Sequence, residues 1–88
     1  MKKIEFKASN TARKFFKKHN EIFIKFKENI IKEIKMEYKP DIKKLKGYPD
    51  LLRMRLGNYR VVYKVENDKI IIISILMAGH RKDVYNKF

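Results

Sequence analysis

The side chains best suited to chemistry in this sequence are arginines. Arg53, Arg55 and Arg60 sit close together in the last third, and a basic tail follows, with His80, Arg81, Lys82 and Tyr85 in HRKDVYNKF. A guanidinium stays protonated and presents a rigid fork of donors that matches phosphate oxygens in pairs. Such a set can hold a phosphodiester and stabilise the charge that builds on phosphorus when it is cleaved. The same property makes arginine a poor base. His80 is the neighbour whose ordinary pKa lies near neutrality, so it is the candidate acid or base. The plainer reading is a solvated basic face: with 23 Lys and Arg among 88 residues, some are neighbours by chance.

The elements that must position these side chains can be read from alternation and turn residues. Gly57-Asn58 lies between two alternating runs and marks a two-residue hairpin. That turn sets Leu56 opposite Tyr59, Arg55 opposite Arg60, Met54 opposite Val61 and Arg53 opposite Val62. Paired residues share a face, so Leu52, Met54, Leu56, Tyr59, Val61 and Tyr63 make an apolar face, and Arg53, Arg55 and Arg60 cluster on the other. Two arginines directly across a pair repel, a cost that an anion between them removes. The run KIIIISILMA is apolar on both sides and reads as a central strand. A turn at Asn67-Asp68 places Glu66 opposite Lys69 and Arg60 beside Ile75. The arginine face then continues through Ile71, Ile73, Ile75 and Met77 to Gly79, His80 and Arg81.

The first half reads as support. Residues 2–7 alternate as a strand with Ile4 and Phe6 on one face. Ser9 is a helix N-cap, and Ala12, Phe15, Phe16 and His19 have helical spacing. Asn20 caps a second helix with the stripe Ile22, Phe26, Ile30 and Ile34, widened by Phe23 and Ile31 and ending near Tyr38, before Pro40. His19 reads as a helix-end residue without chemistry. Residues 39–50 read as a loop whose Lys43, Lys44 and Lys46 contact phosphates or simply add charge. Tyr85 either meets substrate or plugs the sheet edge.

The whole is one domain, residues 1–88, of class α+β: a small antiparallel sheet in the order β-α-α-β-β-β with a short C-terminal tail or helix. Two N-terminal helices cover one face, and a basic groove occupies the other. The net charge of +13 points to a polyanionic partner. Without cysteine there are no disulfides or thiolate metal sites, and His19 and His80 lack an acidic pattern around them, so no metal is expected. Three glycines make no phosphate-cradling loop, and no cofactor is expected. Residues 70–78, the longest apolar stretch, are too short to span a membrane. No secretory signal is evident, so a cytoplasmic location is expected.

The ordered pieces Lys44 to Gly47 (KLKG), Arg53-x-Arg55, Gly57 to Tyr63 (GNYRVVY) and Gly79 to Tyr85 (GHRKDVY) resemble the RelE/ParE toxin superfamily, and within it the RelE branch. The resemblance implies a toxin of a type II toxin–antitoxin system, a ribosome-dependent endoribonuclease that cuts mRNA in the decoding site through the 2′-hydroxyl, without metal. It implies binding to ribosome and mRNA. It also implies a RelB-like acidic antitoxin that forms a hetero-oligomer with the toxin and neutralises it by wrapping the groove or displacing the tail. On this resemblance Arg53 and Arg55 are catalytic candidates, standing where some relatives carry lysines that bind RNA and take part in proton removal, Arg60 stands where an arginine stabilises the transition state, and Arg81 at the arginine linked to leaving-group stabilisation or protonation. Tyr85 stands at a substrate-positioning tyrosine, His80 at a tail histidine, and Lys82 among RNA contacts. The arginines at the paired basic positions leave the base open. So are two alternatives: a ParE-like inhibitor of DNA gyrase, and an inactive nucleic-acid-binding member.

Overall fold

The computed structural model describes residues 2–87, and the side chains of residues 2–84. The chain runs β1 (Ile4–Ala8), α1 (Asn10–Lys18), α2 (Asn20–Ile34), β2 (Ile42–Leu45), β3 (Tyr48–Leu56), β4 (Tyr59–Asn67), β5 (Ile71–His80) and α3 (Arg81–Lys87). The strands form one sheet in the order β1-β5-β4-β3-β2.

Residues 39–50 are more than a loop. They contain β2, an edge strand paired with β3 through a two-residue turn between Leu45 and Tyr48. The sheet is also mixed. β1 pairs with β5 in parallel, which is possible because the whole of α1 to β4 lies between them as a long connection. β5 is interior, flanked by β1 and β4, in keeping with its apolar sequence.

The helices bury their stripes on one face. Ala12, Phe16, Phe26 and Ile30 join Met54, Leu56, Val61, Tyr63, Ile71, Ile73, Ile75 and Ala78 in the core. Phe26 meets Tyr63 edge-on at 5.2 Å, and Phe16 stacks on Phe23 across the helix pair at 4.6 Å. Burial pushes the Tyr63 hydroxyl pKa well up, and the nearby Glu33 carboxylate adds to the shift. α2 ends earlier than Tyr38. The amide of Met36 donates to the Glu33 carbonyl and that of Glu37 to the Lys32 carbonyl, closing the helix with Met36 in the left-handed region at φ 61°. The cap of α2 also differs from expectation. Asn20 is its first helical residue, and His19 holds the junction between the two helices.

The hairpin β3–β4 has the register read from its turn: Arg53 pairs with Val62, Met54 with Val61, Arg55 with Arg60 and Leu56 with Tyr59. Gly57 takes φ 62° at the first turn position, the conformation such a turn requires. The β4–β5 register departs from expectation. A three-residue connection, 68–70, replaces the Asn67-Asp68 turn, so Asn67 pairs with Ile71 and Glu66 with Ile72. A bulge at Leu76 then shifts the ladder, so that Tyr63 pairs with Ile75 but Val62 pairs with Met77 and Arg60 with Gly79. An extra residue on one strand exchanges the faces of everything beyond it. Ile71, Ile73 and Ile75 therefore fill the helix-covered core, while Met77 and Gly79 lie on the arginine side.

Ser9 holds this bulge. Its amide donates to the Ile75 carbonyl at 2.9 Å and its hydroxyl to the Leu76 carbonyl at 2.7 Å, while its Oγ accepts from the Ala12 amide as the α1 cap. Ser9→Ala removes both the cap and the bulge contact, and is expected to lower stability by about 1–2 kcal/mol in urea titrations. Met36→Gly is expected to act oppositely. Met36 is 92% exposed, so its side chain contributes little packing. Relief of the left-handed strain should raise stability by about 0.5–1 kcal/mol, read as a higher melting temperature.

Candidate nucleic-acid interface

The face opposite α1 and α2 gathers cations from three strands. Arg53 pairs with Val62 on one side and Lys43 on the other, and Arg55 pairs with Arg60. Lys43, Arg53, Arg55 and Arg60 thus share this face with Val62, Met77 and Gly79. Lys44 pairs with Leu52 and points to the other side, and Lys46 is exposed in the turn before Gly47.

The arginines are not equivalent. Arg55 is exposed. Arg53 is only 9% exposed, and its Nη1 lies 3.6 Å from the Asp41 carboxylate. The Asp41 carbonyl accepts from the Arg55 amide, which places that carboxylate beside β3. Arg60 is 3% exposed and curls back so that Nη1 donates to the carbonyls of Gly57 at 2.9 Å and Tyr59 at 3.0 Å. Its Nε is buried without a hydrogen-bond partner among the described residues. No carboxylate is paired with Arg60 among the described residues. A buried cation with an unsatisfied donor is costly unless an anion completes it.

α3 packs onto β5 and β4. Val84 is 1% exposed, and a Cβ placed on Gly79 would meet its Cγ2 at 3.9 Å. Because Gly79 pairs with Arg60, α3 lies over the end of the arginine face. Its first residue, Arg81, is exposed, and its amide donates to the Asn58 carbonyl at 2.9 Å, tying the tail to the β3–β4 turn. Lys82 is exposed on the same helix. The side chain of Tyr85 lies outside the described residues.

His80 lies on the opposite side of the sheet from the arginines. It pairs with Tyr59 and so points to the helix side, with ring centroids 6.1 Å apart. Alternation after Gly79, which lies on the arginine side, sets this direction. The His80 Nδ1 accepts from the Lys82 amide at 3.4 Å, a long contact. The surroundings of two further residues were not legible in the sequence. Asp41 offered only an isolated acid before a strand, and no local pattern marks it as the partner of Arg53. His19, read as a helix end, stacks on Phe15 at 4.5 Å and leans on Tyr59 at 5.2 Å. Chemically, the face can bind a phosphodiester and stabilise added negative charge.

The fold is that of a family of small toxins. The family model for the ParE toxin of the type II toxin–antitoxin system parDE matches residues 6–85, and the chain belongs to that family. Toxin RelE3 of Methanocaldococcus jannaschii is 46% identical over 52 residues, covering 59% of this chain and 56% of that protein. The chain thus spans about half the length of the curated relative it matches. The crystal structure of the RelB–RelE antitoxin–toxin complex from Methanococcus jannaschii superposes with a TM-score of 0.62 and 32% identity, covering 93% of this chain and 98% of that one. The resemblance to the RelE/ParE superfamily and the α+β fold expected from it are both borne out. No helix among the described residues is long and apolar enough to cross a membrane.

The direct Arg55–Arg60 pair yields a test of purpose. Arg55→Glu places opposite charges across the ladder and is expected to raise stability by about 0.2–1 kcal/mol in low salt, while weakening binding to a single-stranded RNA oligonucleotide. Lower stability in denaturant titrations would show that the two guanidiniums do not repel in the folded chain.

Proposed function

We propose that this chain is the toxin of a type II toxin–antitoxin system and acts as a ribosome-dependent endoribonuclease on mRNA. The observation that carries the reading is the gathering of Lys43, Arg53, Arg55 and Arg60 on one face, closed at its end by α3 with Arg81. Likeness to a curated RelE toxin and to the toxin of a RelB–RelE complex supports it.

In this reading the mRNA 2′-oxygen attacks the adjacent phosphorus, the bond to the 5′-oxygen breaks, and a 2′,3′-cyclic phosphate and a 5′-hydroxyl result. The proton leaves the 2′-hydroxyl and another is delivered to the 5′-oxygen. Arg53, Arg55 and Lys43 bind the backbone, with Lys44, Lys46 and Lys82 adding longer-range attraction. Arg60, already desolvated, and Arg81 stabilise the phosphorane and the leaving oxygen, so that side-chain cations supply the charge and no metal is required. Tyr85 positions the substrate. Histidine is the side-chain type suited to proton transfer, and His80 is the candidate for it. Its position beside Tyr59 places it past the end of the arginine face, next to Arg81. A RelB-like acidic antitoxin is the partner, matched by the charge of +13, and the toxin acts in the cytoplasm, where ribosomes and mRNA are.

The family model bears the ParE name, which makes gyrase inhibition the second reading. One assay separates the two. Translating ribosomes on a defined message are mixed with the chain or with Arg81→Ala, and 5′ ends are mapped by primer extension. The expected result is cuts in the decoding site that fall at least a hundredfold in the variant, the scale of a lost electrostatic contact to the transition state. Intact message together with inhibited gyrase supercoiling would replace the nuclease reading. Intact message and normal supercoiling would leave a binding protein without turnover.

A further inference from the structure

β1 pairs with β5 only as far as Ala8 opposite Ile75. Beyond that point the chain turns into α1, and Met77 to His80 have no strand partner on their outer side among the described residues. A cleft of about 510 Å³ follows this free edge, with Thr11, Phe15 and His19 on the α1 side and Asp83 and Val84 on the α3 side. Tyr59 and His80 also line it.

The rings here form a continuous chain. His19 stacks on Phe15 with 24° between planes, Tyr59 lies 5.5 Å from Phe15 and 5.2 Å from His19, and His80 stands edge-on to Tyr59. His19 and His80 come from opposite ends of the sequence and meet at one tyrosine. The His19 side chain is one-third exposed. Arg81 and Lys82 begin α3 directly after His80, while among the described residues the acids at the cleft are Asp83 and the Glu21 carboxylate, 3.7 Å from His19 Nδ1. Asp83 and Thr11 offer polar groups to the edge of a planar ligand.

We propose that this cleft receives an unstacked base of single-stranded RNA whose phosphate lies at Arg81. The inference deepens the nuclease reading and rests on it. Aromatic and imidazole faces hold bases by stacking, while flanking cations track the backbone. The size of the cleft lies within the range of small-ligand sites. The surrounding charge favours a nucleic acid over an acidic polypeptide because it is joined to a ring surface that only a base uses fully. A strand crossing the end of the sheet thus places its backbone on the arginine face and one neighbouring base in the cleft, fixing the register of the RNA relative to Arg60 and Arg81.

The test uses two non-cleavable hexamers, 2′-O-methyl oligoadenosine and the same backbone made abasic, with affinities measured by fluorescence anisotropy. His19→Ala is expected to weaken binding of the adenosine hexamer fivefold or more, the lower end of the stacking range, and to leave the abasic hexamer unchanged. His19→Phe retains a ring and is expected to keep the difference. Arg81→Ala should weaken both hexamers alike. Circular dichroism melts confirm that the variants are folded, and Tyr59→Leu serves as a second probe. If His19→Ala and Tyr59→Leu both bind the adenosine hexamer as the wild type does, the cleft is not a base site. If His19→Ala instead loses affinity for poly-glutamate, the cleft belongs to an acidic polypeptide. If the wild type binds neither hexamer at low salt, the base-site inference falls, while the ribosome-dependent reading is decided separately by the primer-extension assay.

Discussion

Much of this small structure depends on the bulge at Leu76 and on the two hydrogen bonds from Ser9 that hold it. β5 is apolar along nearly its whole length, so its sequence does not say which side faces which. The bulge divides it. Ile71, Ile73 and Ile75 enter the core under the helices, and Met77 and Gly79 pass beneath the arginines. It also moves His80 to the side of Tyr59. Ser9 caps α1 with the same hydroxyl that donates to the bulge, so the start of the first helix and the face switch of the central strand are one local arrangement.

The arginine face is built against its own electrostatics. Lys43 stands opposite Arg53 and Arg55 opposite Arg60, with Asp41 the acid paired to the cluster among the described residues. Arg60 is buried with its guanidinium only partly satisfied. Such an arrangement lowers the stability of the free chain and raises its affinity for an anion, since a phosphate relieves repulsion and satisfies donors at once. On the proposed nuclease reading, Arg60 would meet its substrate with its desolvation already met, as preorganised charge stabilisation requires.

The end of the sheet has two sides, and α3 joins them. Its Val84 packs by Gly79 on the arginine face, its Arg81 amide holds the β3–β4 turn, and its Asp83 lines the cleft on the helix side. A ligand that crosses this end meets guanidiniums on one side and rings on the other.

Several features were legible in the sequence because they are set by neighbours in the chain. The β3–β4 register follows from Gly57-Asn58, since a two-residue turn fixes every pair beyond it, and with it the grouping of Arg53, Arg55 and Arg60. The Ser9 cap and the buried stripes of α1 and α2 are likewise local. The rest was decided by tertiary contacts. The connection over residues 68–70 and the bulge at Leu76 carry no turn signature, and a single inserted residue reverses a face without altering composition. β2 is short and lysine-rich and exists because β3 offers it an edge. Asp41 reaches Arg53, and His19 meets Tyr59 and His80, only after distant strands and helices are brought together. Alternation and turn chemistry act over a few residues, whereas the ladder that places His80 is set by which carbonyls and amides find one another across the folded sheet.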